Sequence, residues 1–296
     1  MISRKAQEII QTLKKNYEPI MDFQNLQVEE RRELFNQSIV LEPLPEGIHH
    51  ETGTVNGVPV EKISLSGSTN KIIMHIHGGG MIIGDSSSSR FMLAHVADLT
   101  KRNAISVDYR LCPEYTQPAA VEDCVSVYCG LLEQGYDPKN IVLLGESAGG
   151  ALVLSLCAYL KKNKMEMPAA VCSISGSVDS QYESASMTKN RETEIVVNSN
   201  LKEMMNALYY TDTDPKDPVF SPIYSDLHGW PPVYLHACQG EILLDESIRM
   251  YLKLEEAGVE TKLTIKEELF HTYMMFDLPE SYEAFEEIAS FFNEYS

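Results

Sequence analysis

Short apolar runs alternate with longer amphipathic stretches from about residue 58 to the end of the chain. The runs have the length of strands and are apolar on both faces, and the stretches between them have helical spacing. The predicted strands cover residues 58–65, 71–77, 104–109, 141–144, 169–175, 233–237 and 261–265. The predicted helices cover residues 87–100, 119–133, 148–162, 246–257 and 281–294. This alternation predicts an α/β fold in which helices cover both faces of a mostly parallel sheet.

Two segments depart from the alternation. Residues 1–40 have the spacing of two short amphipathic helices, and residues 177–230 form a polar insertion with one helix near 200–210. A long insertion between strands commonly forms a lid or a binding loop. We therefore predict a single domain over residues 1–296, with a cap contributed by about 1–40 and 177–215. His49 and His50 fall in the loop region that follows the N-terminal helices.

The sequence Gly-Glu-Ser-Ala-Gly at residues 145–149 stands between a predicted strand and a predicted helix. A sharp turn at such a junction exposes the hydroxyl of its serine above the carboxyl edge of the sheet, and the flanking glycines make the turn sterically possible. The amides at the start of the following helix point toward any anion that forms there. This placement predicts that Ser147 is a catalytic nucleophile.

A second glycine-rich turn, His-Gly-Gly-Gly at residues 77–80, follows the predicted strand 71–77. Backbone amides in such a turn can form part of an oxyanion hole, although the motif by itself also suits a phosphate loop or a flexible turn. His75 and His77 would share one face of the strand, as two metal ligands do. The sequence offers no obvious third or fourth ligand near them, so we predict no metal site.

A nucleophilic serine requires a base, and the base requires an orienting acid. Of the eight histidines, His271 follows the last predicted strand and precedes the last helix, which fits the order serine, acid, histidine. The acid should follow strand 233–237. Glu241 lies at the turn just past that strand and is favoured, whereas Asp245 lies where the next helix begins and where carboxylates often cap.

The composition restricts the partners and the location. The net charge of −19 disfavours nucleic acid and anionic membranes as partners. None of the six cysteines forms a Cys-x-x-Cys pair, and residues 1–20 lack the apolar core of an export signal. We therefore expect a cytoplasmic protein with reduced cysteines.

The charged groups of segment 108–123 are expected to pair with one another and to brace a loop beside the site.

The chain resembles the hormone-sensitive-lipase-like family of α/β-hydrolases, in its bacterial carboxylesterase and acetylesterase branch. The resemblance rests on HGGG at 77–80, DYRLCPE at 108–114, PAAVED at 118–123, GESAGG at 145–150, EILLDES at 241–247 and HTYMMF at 271–276. It implies an α/β-hydrolase fold with an eight-stranded sheet and a helical cap, and dimers through a sheet edge in some relatives. It also implies oxyanion-hole amides at Gly79, Gly80 and Ala148. Many members carry aspartate where this chain has Glu241, which is a conservative departure.

Together these features predict a serine hydrolase of the carboxylesterase or acetylesterase type. Its partner would be a small-molecule ester with a short acyl chain, cleaved through an acyl-enzyme without a cofactor. An amidase, a lactonase or a peptidase could use the same machinery. A non-catalytic ligand-binding member of the fold is disfavoured because Ser147, His271 and a candidate acid are all present. A lipase that acts at an oil interface is disfavoured because no large apolar surface segment is evident.

Overall fold

The computed structural model describes residues 1–16, 27–38, 43–67, 69–197, 200–211 and 213–295. These residues form one sheet of eight strands in the order β1-β2-β4-β3-β5-β6-β7-β8. The strands are β1 (Ile48–Val55), β2 (Val58–Leu65), β3 (Ile72–Ile76), β4 (Asn103–Val107), β5 (Ile141–Glu146), β6 (Ala170–Ile174), β7 (Val233–Cys238) and β8 (Thr261–Lys266). All pairings from β4 across to β8 are parallel, and β2 pairs antiparallel with both β1 and β4. The predicted α/β-hydrolase architecture is confirmed.

The helices cover both faces of this sheet. They are α1 (Arg4–Asn16), α2 (Val28–Ser38), α3 (Arg90–Thr100), α4 (Ala119–Glu133), α5 (Ala148–Lys162), α6 (Ser186–Lys189), α7 (Leu201–Leu208), α8 (Leu244–Glu256) and α9 (Pro279–Tyr295). Apolar residues of α4, α5 and α8 form the core on one face, and those of α1, α3 and α9 form the core on the other. The central strands β3, β5, β6 and β7 are buried at every position, which explains why most of their residues are apolar.

Strand β1 corrects the sequence analysis, which placed His49 and His50 in a loop. Both lie in β1, an edge strand with mostly exposed side chains and therefore without apolar alternation. Its ladder with β2 is closed by a two-residue turn at Asn56 and Gly57, where φ is +46° and +80°. Asn-Gly is the preferred dipeptide for such a turn. This hairpin signal was present in the sequence and was overlooked.

The two N-terminal helices attach to the body through charged side chains. In α1, Lys5 pairs with Asp277, and the backbone N–H and hydroxyl of nearby Ser3 donate to Glu280. In α2, Arg32 forms a two-pronged ion pair with Glu114. The segment between these helices, residues 17–26, lies outside the described residues, as do 39–42 at the end of the predicted N-terminal cap segment and 198, 199 and 212 in the insertion.

Two further features bear on the sequence predictions. All six cysteines are free. Within the described ranges, no helix combines the length and apolar character that crossing a bilayer requires.

Candidate active site

Ser147 occupies a strained turn between β5 and α5. Its backbone has φ +54° and ψ −118°, a combination that non-glycine residues avoid. The turn is tight because a Cβ built on Gly149 would lie 1.8 Å from the carbonyl oxygen of Ile76 on β3. The backbone N–H of Ser147 donates to the Ile174 carbonyl at 2.8 Å, which ties the turn to β6. The predicted geometry of the Gly-Glu-Ser-Ala-Gly segment therefore has a physical basis in close contact between backbones.

The structure brings Ser147, His271 and Glu241 together at the carboxyl edge of the sheet. His271 Nε2 lies 2.8 Å from Ser147 Oγ, and His271 Nδ1 lies 2.7 Å from Glu241 Oε2. The other carboxylate oxygen of Glu241 accepts the backbone N–H of Cys238 at 2.9 Å. Glu241 and His271 follow β7 and β8 respectively, and both are almost completely buried.

Asp245 is not part of this hydrogen-bonded chain. Its carboxylate accepts the backbone N–H of Ser186 at 2.8 Å, and Ser186 Oγ accepts the N–H of Asp245 in return at 3.0 Å. The carboxylate thus joins the start of α8 to the short helix α6. Of the two acids that the sequence left open, Glu241 is the one in contact with His271.

The electrostatics of His271 reflect two opposing effects. Burial lowers its pKa, but the hydrogen bond and the charge of Glu241, together with the charges of Glu194 and Glu146, outweigh burial and raise the pKa above its ordinary value. A carboxylate partner of this kind holds the proton on Nδ1, so Nε2 is free to accept the Ser147 proton.

The glycine turn after β3 faces the same cavity as Ser147. Gly79 and Gly80 have φ +103° and +62°, and a Cβ on Gly79 would lie 2.0 Å from the Ile83 carbonyl oxygen. Gly79, Gly80 and Ala148 all line the cavity, and Ala148 begins α5, where backbone amides lack partners within the helix. The three residues that the resemblance named for an oxyanion hole therefore line the same cavity as Ser147.

His77 braces this turn. Its Nδ1 lies 2.7 Å from the Gly78 carbonyl oxygen, and its ring stacks on Tyr109 with the ring centres 4.3 Å apart. Burial lowers the pKa of His77 to about 4, so the ring is neutral near pH 7 and its Nδ1–H donates to the carbonyl. Within the described part of the chain, no group of three or more His, Cys, Asp or Glu side chains is arranged to hold a metal ion.

The expected pairing of charges within segment 108–123 holds only in part, since the Asp108 carboxylate accepts the backbone N–H of Ser86 at 3.3 Å. Arg110 binds Asp123 and Glu122 within the segment. Glu114 instead pairs with Arg32 of α2, whose guanidinium also donates to the carbonyl oxygens of Ile82 and Cys112. The segment therefore connects the N-terminal helices to the glycine turn.

Two glutamates near the site were not singled out from the sequence. Glu146 ends the buried strand β5, where a carboxylate requires partners because an unpaired buried charge is costly. A charged residue at the end of a strand predicted to be buried could have been recognised from the sequence. Glu194 lies in the polar insertion, where its carboxylate accepts the backbone N–H groups of Val196, Val197 and Ile242. Nothing in the polar sequence around Glu194 distinguishes it.

A cavity of about 640 Å³ lies above Ser147. The side chains that enclose it are mostly apolar and come from both the N-terminal segment and the insertion, including Ile9, Leu13, Phe35, Leu201, Met204 and Met205. Two cationic side chains that line it are already paired, Lys5 with Asp277 and Arg90 with Glu61. The cavity thus suits an uncharged, mainly apolar ligand.

The family follows from a comparison with known proteins. A sequence model described as the α/β-hydrolase fold matches residues 73–275, which is more than half of the chain. This chain belongs to the α/β-hydrolase fold family. The matched range contains Ser147, Glu241 and His271 together with both glycine turns.

The relatives of this α/β-hydrolase are named for ester hydrolysis. It is 34% identical over 238 residues to an esterase of Acinetobacter venetianus, across 79% of this chain and 78% of the relative. It is 32% identical over 242 residues to an acetyl-hydrolase of Streptomyces hygroscopicus, with 80% of each chain covered. A crystal structure of an esterase from the bacterial hormone-sensitive lipase family superposes with a TM-score of 0.92 at 32% identity, over 100% of this chain and 99% of the other. The predicted family and the predicted enzyme class, an ester hydrolase, are confirmed.

Proposed function

We propose that this α/β-hydrolase cleaves short-chain carboxylic esters through an acyl-enzyme on Ser147, with His271 as the base and Glu241 as the orienting acid. One observation carries the proposal. Hydrogen bonds of 2.8 and 2.7 Å join Ser147, His271 and Glu241 in series, and Ser147 and His271 line a mainly apolar cavity.

In the first half of the reaction, His271 Nε2 accepts the proton of Ser147 Oγ as that oxygen attacks the ester carbonyl carbon. The carbonyl oxygen becomes an oxyanion, which the amides of Gly79, Gly80 and Ala148 stabilise by donating hydrogen bonds. The tetrahedral intermediate then collapses, and His271 Nε2–H donates its proton to the departing alkoxide. The products of this half are a free alcohol and an acyl group bonded to Ser147 Oγ.

In the second half, a water molecule takes the place of the alcohol. His271 accepts one of its protons, the water oxygen attacks the acyl carbon, and the same amides stabilise the second oxyanion. Collapse breaks the bond to Ser147 Oγ, which recovers its proton from His271. The carboxylic acid leaves, and Glu241 stabilises the imidazolium form of His271 in each half.

The cavity supports a substrate with a small apolar acyl group. The lining is mainly apolar, and among the described lining residues the Lys5 and Arg90 side chains are both already paired with carboxylates of the protein. In this proposal residues 1–40 and 177–215 act as a cap, because side chains from both segments enclose the space above Ser147. The volume of about 640 Å³ is typical of pockets for small molecules.

The proposal is tested with p-nitrophenyl esters of two to twelve acyl carbons and with matched amides, lactones and peptides. We expect the highest kcat/KM for short acyl esters. With substrate in excess, a pre-steady-state burst of p-nitrophenol equal to the enzyme concentration should appear for esters whose deacylation limits turnover. Ser147→Ala should lower kcat by at least about 10⁴-fold because it removes the nucleophile. Ser155→Ala serves as the matched control, since Ser155 lies two turns further along α5.

The proposal fails if Ser147→Ala retains ester hydrolysis within tenfold of the parent. It also fails if an amide, a lactone or a peptide is the preferred substrate class.

A further inference from the structure

The carboxylate of Glu146 is the meeting point of three elements around the site. It stands between Gly145 and Ser147 at the end of β5, and 3% of the residue is exposed. Oε1 accepts the backbone N–H of Gly78 at 2.7 Å and the hydroxyl of Ser89 at 2.5 Å. Oε2 lies 2.7 Å from Nε2 of His75 on β3.

These contacts leave the carboxylate little freedom. His75 is itself held by Ser106 of β4, whose Oγ lies 2.9 Å from His75 Nδ1. Burial raises the pKa of Glu146, but His75 and the hydrogen bonds from Ser89 and Gly78 outweigh burial and lower it below its ordinary value. An ionised carboxylate with donors on both oxygens makes charge-assisted hydrogen bonds, which are stronger than neutral ones.

The glycine turn lies directly against the serine turn at this point. A Cβ built on Gly78 would lie 3.1 Å from the carbonyl oxygen of Glu146 and 3.2 Å from Cβ of Ser147. Gly78 immediately precedes Gly79 and Gly80, the proposed oxyanion donors. A shift of the Gly78 amide would therefore move those donors relative to Ser147.

We infer that Glu146 is a positioning residue for the oxyanion hole, in which its carboxylate holds the Gly78 amide and so sets the distance from the Gly79 and Gly80 amides to Ser147. The inference rests on the proposed function, because it gives Gly79 and Gly80 a role only if an oxyanion forms at Ser147. Although Glu146 lines the cavity, both of its carboxylate oxygens are engaged by His75, Gly78 and Ser89, so we assign it a positioning role rather than a catalytic one.

A purely structural role for Glu146 predicts a different result. A buried carboxylate that only holds the fold together would, when replaced, lower the melting temperature without a specific effect on transition-state binding. A positioning role predicts that binding of a tetrahedral oxyanion weakens in proportion to the loss of kcat/KM, because both depend on the same amides. A misplacement of about 1 Å at a reacting centre can cost about 10²-fold.

The test uses Glu146→Gln and Glu146→Ala in the full chain. For each variant kcat and KM are measured with p-nitrophenyl butyrate, together with the inhibition constant of an aliphatic trifluoromethyl ketone, which forms an anionic hemiketal with a serine. Gln keeps an acceptor for Gly78 but loses the charge, so we expect kcat/KM to fall about 5- to 20-fold. Ala removes the acceptor, and we expect a fall of about 100-fold or more. In both variants the inhibition constant should rise by the same factor, with KM changed less than threefold.

Glu246→Gln is the matched control. Glu246 is another buried glutamate, and its carboxylate accepts the backbone N–H groups of Val178 and Asp179 and pairs with Arg249, whereas the Gly78 N–H donates to Glu146. Its replacement should lower the melting temperature while the inhibition constant stays within threefold of the parent.

The inference is wrong if Glu146→Gln leaves kcat/KM and the inhibition constant within twofold of the parent, or if its loss lies in KM with unchanged inhibition. Because Gln nearly preserves the side-chain shape, this result decides the matter even if Glu146→Ala does not fold. If the parent neither hydrolyses the ester nor binds the ketone, the proposed function has failed instead.

Discussion

Replacing Glu241 by glutamine should impair catalysis far more than the loss of one hydrogen bond suggests. Oε1 of Glu241 accepts the Cys238 N–H at 2.9 Å, so the amide oxygen of Gln will occupy that position. The amide nitrogen then faces His271 Nδ1 at the 2.7 Å site of Oε2. A nitrogen that donates there forces Nδ1 to be an acceptor, which leaves the ring proton on Nε2. In that tautomer Nε2 cannot accept the proton of Ser147.

The magnitude follows from two losses. The wrong tautomer must convert before reaction, and the imidazolium loses the adjacent charge that stabilises it. Replacement of the acid by its amide in a serine-histidine-acid system lowers kcat by about 10⁴-fold. A fall of about 10³- to 10⁴-fold in this enzyme corresponds to about 4–5.5 kcal/mol of activation free energy. The neutral residue keeps both neighbours paired, so we expect the fold to survive.

The assay is steady-state hydrolysis of p-nitrophenyl butyrate by Glu241→Gln and by Asp245→Asn, with melting temperatures measured for both. Asp245 bonds the Ser186 N–H and not the histidine, so Asp245→Asn should change kcat less than about threefold while costing about 1 kcal/mol of stability. The reasoning is refuted if Asp245→Asn, and not Glu241→Gln, shows the large loss of kcat. It is also refuted if a folded Glu241→Gln variant retains more than a tenth of the parent kcat.

Two further predictions concern acid–base behaviour and substrate length. Because the His271 pKa is raised above 6.5 and the base must be neutral, activity should rise with pH through a midpoint above 6.5. Glu194→Gln removes one of the negative charges that raise the His271 pKa, so the midpoint of the pH profile of kcat/KM should move to lower pH. An unchanged or higher midpoint would contradict this. Met204→Trp should shift the preferred acyl chain shorter by about two carbons or more, since the Met204 methyl lies 3.9 Å from a Cβ built on Gly80. An unaltered profile across the ester series would show that Met204 does not limit chain length.

The central elements of the fold could be predicted from the sequence because their apolar residues follow the spacing of buried strands and of helices. The helix Ala148–Lys162 begins and ends where predicted, and the buried strands β3, β5, β6 and β7 were all recognised by continuous apolar character. Strand β1 was missed because one antiparallel partner and mostly exposed side chains leave it without an apolar pattern. Its position is set by the Asn-Gly turn and by backbone pairing, neither of which depends on hydrophobic spacing.

The same distinction applies to the site. Position in the chain was enough to identify Ser147, Glu241 and His271 as candidates, because the carboxyl ends of parallel strands lie at the same edge of the sheet. Spacing favoured Glu241 without excluding Asp245, since both lie within a few residues of the end of β7. Contacts that join distant segments, such as Arg32 with Glu114 or Glu194 with Ile242, depend on how the insertion and the N-terminal helices fold back, and no local pattern encodes that.

The backbone of Ser147 has a consequence for how the protein responds to selection. A non-glycine residue at φ +54° and ψ −118° carries a conformational cost of about 1–3 kcal/mol. Glycine at this position would relieve that cost while removing the nucleophile. Laboratory selection for thermal stability alone should therefore favour Ser147→Gly. Selection for catalytic activity at the same time is needed to retain the serine.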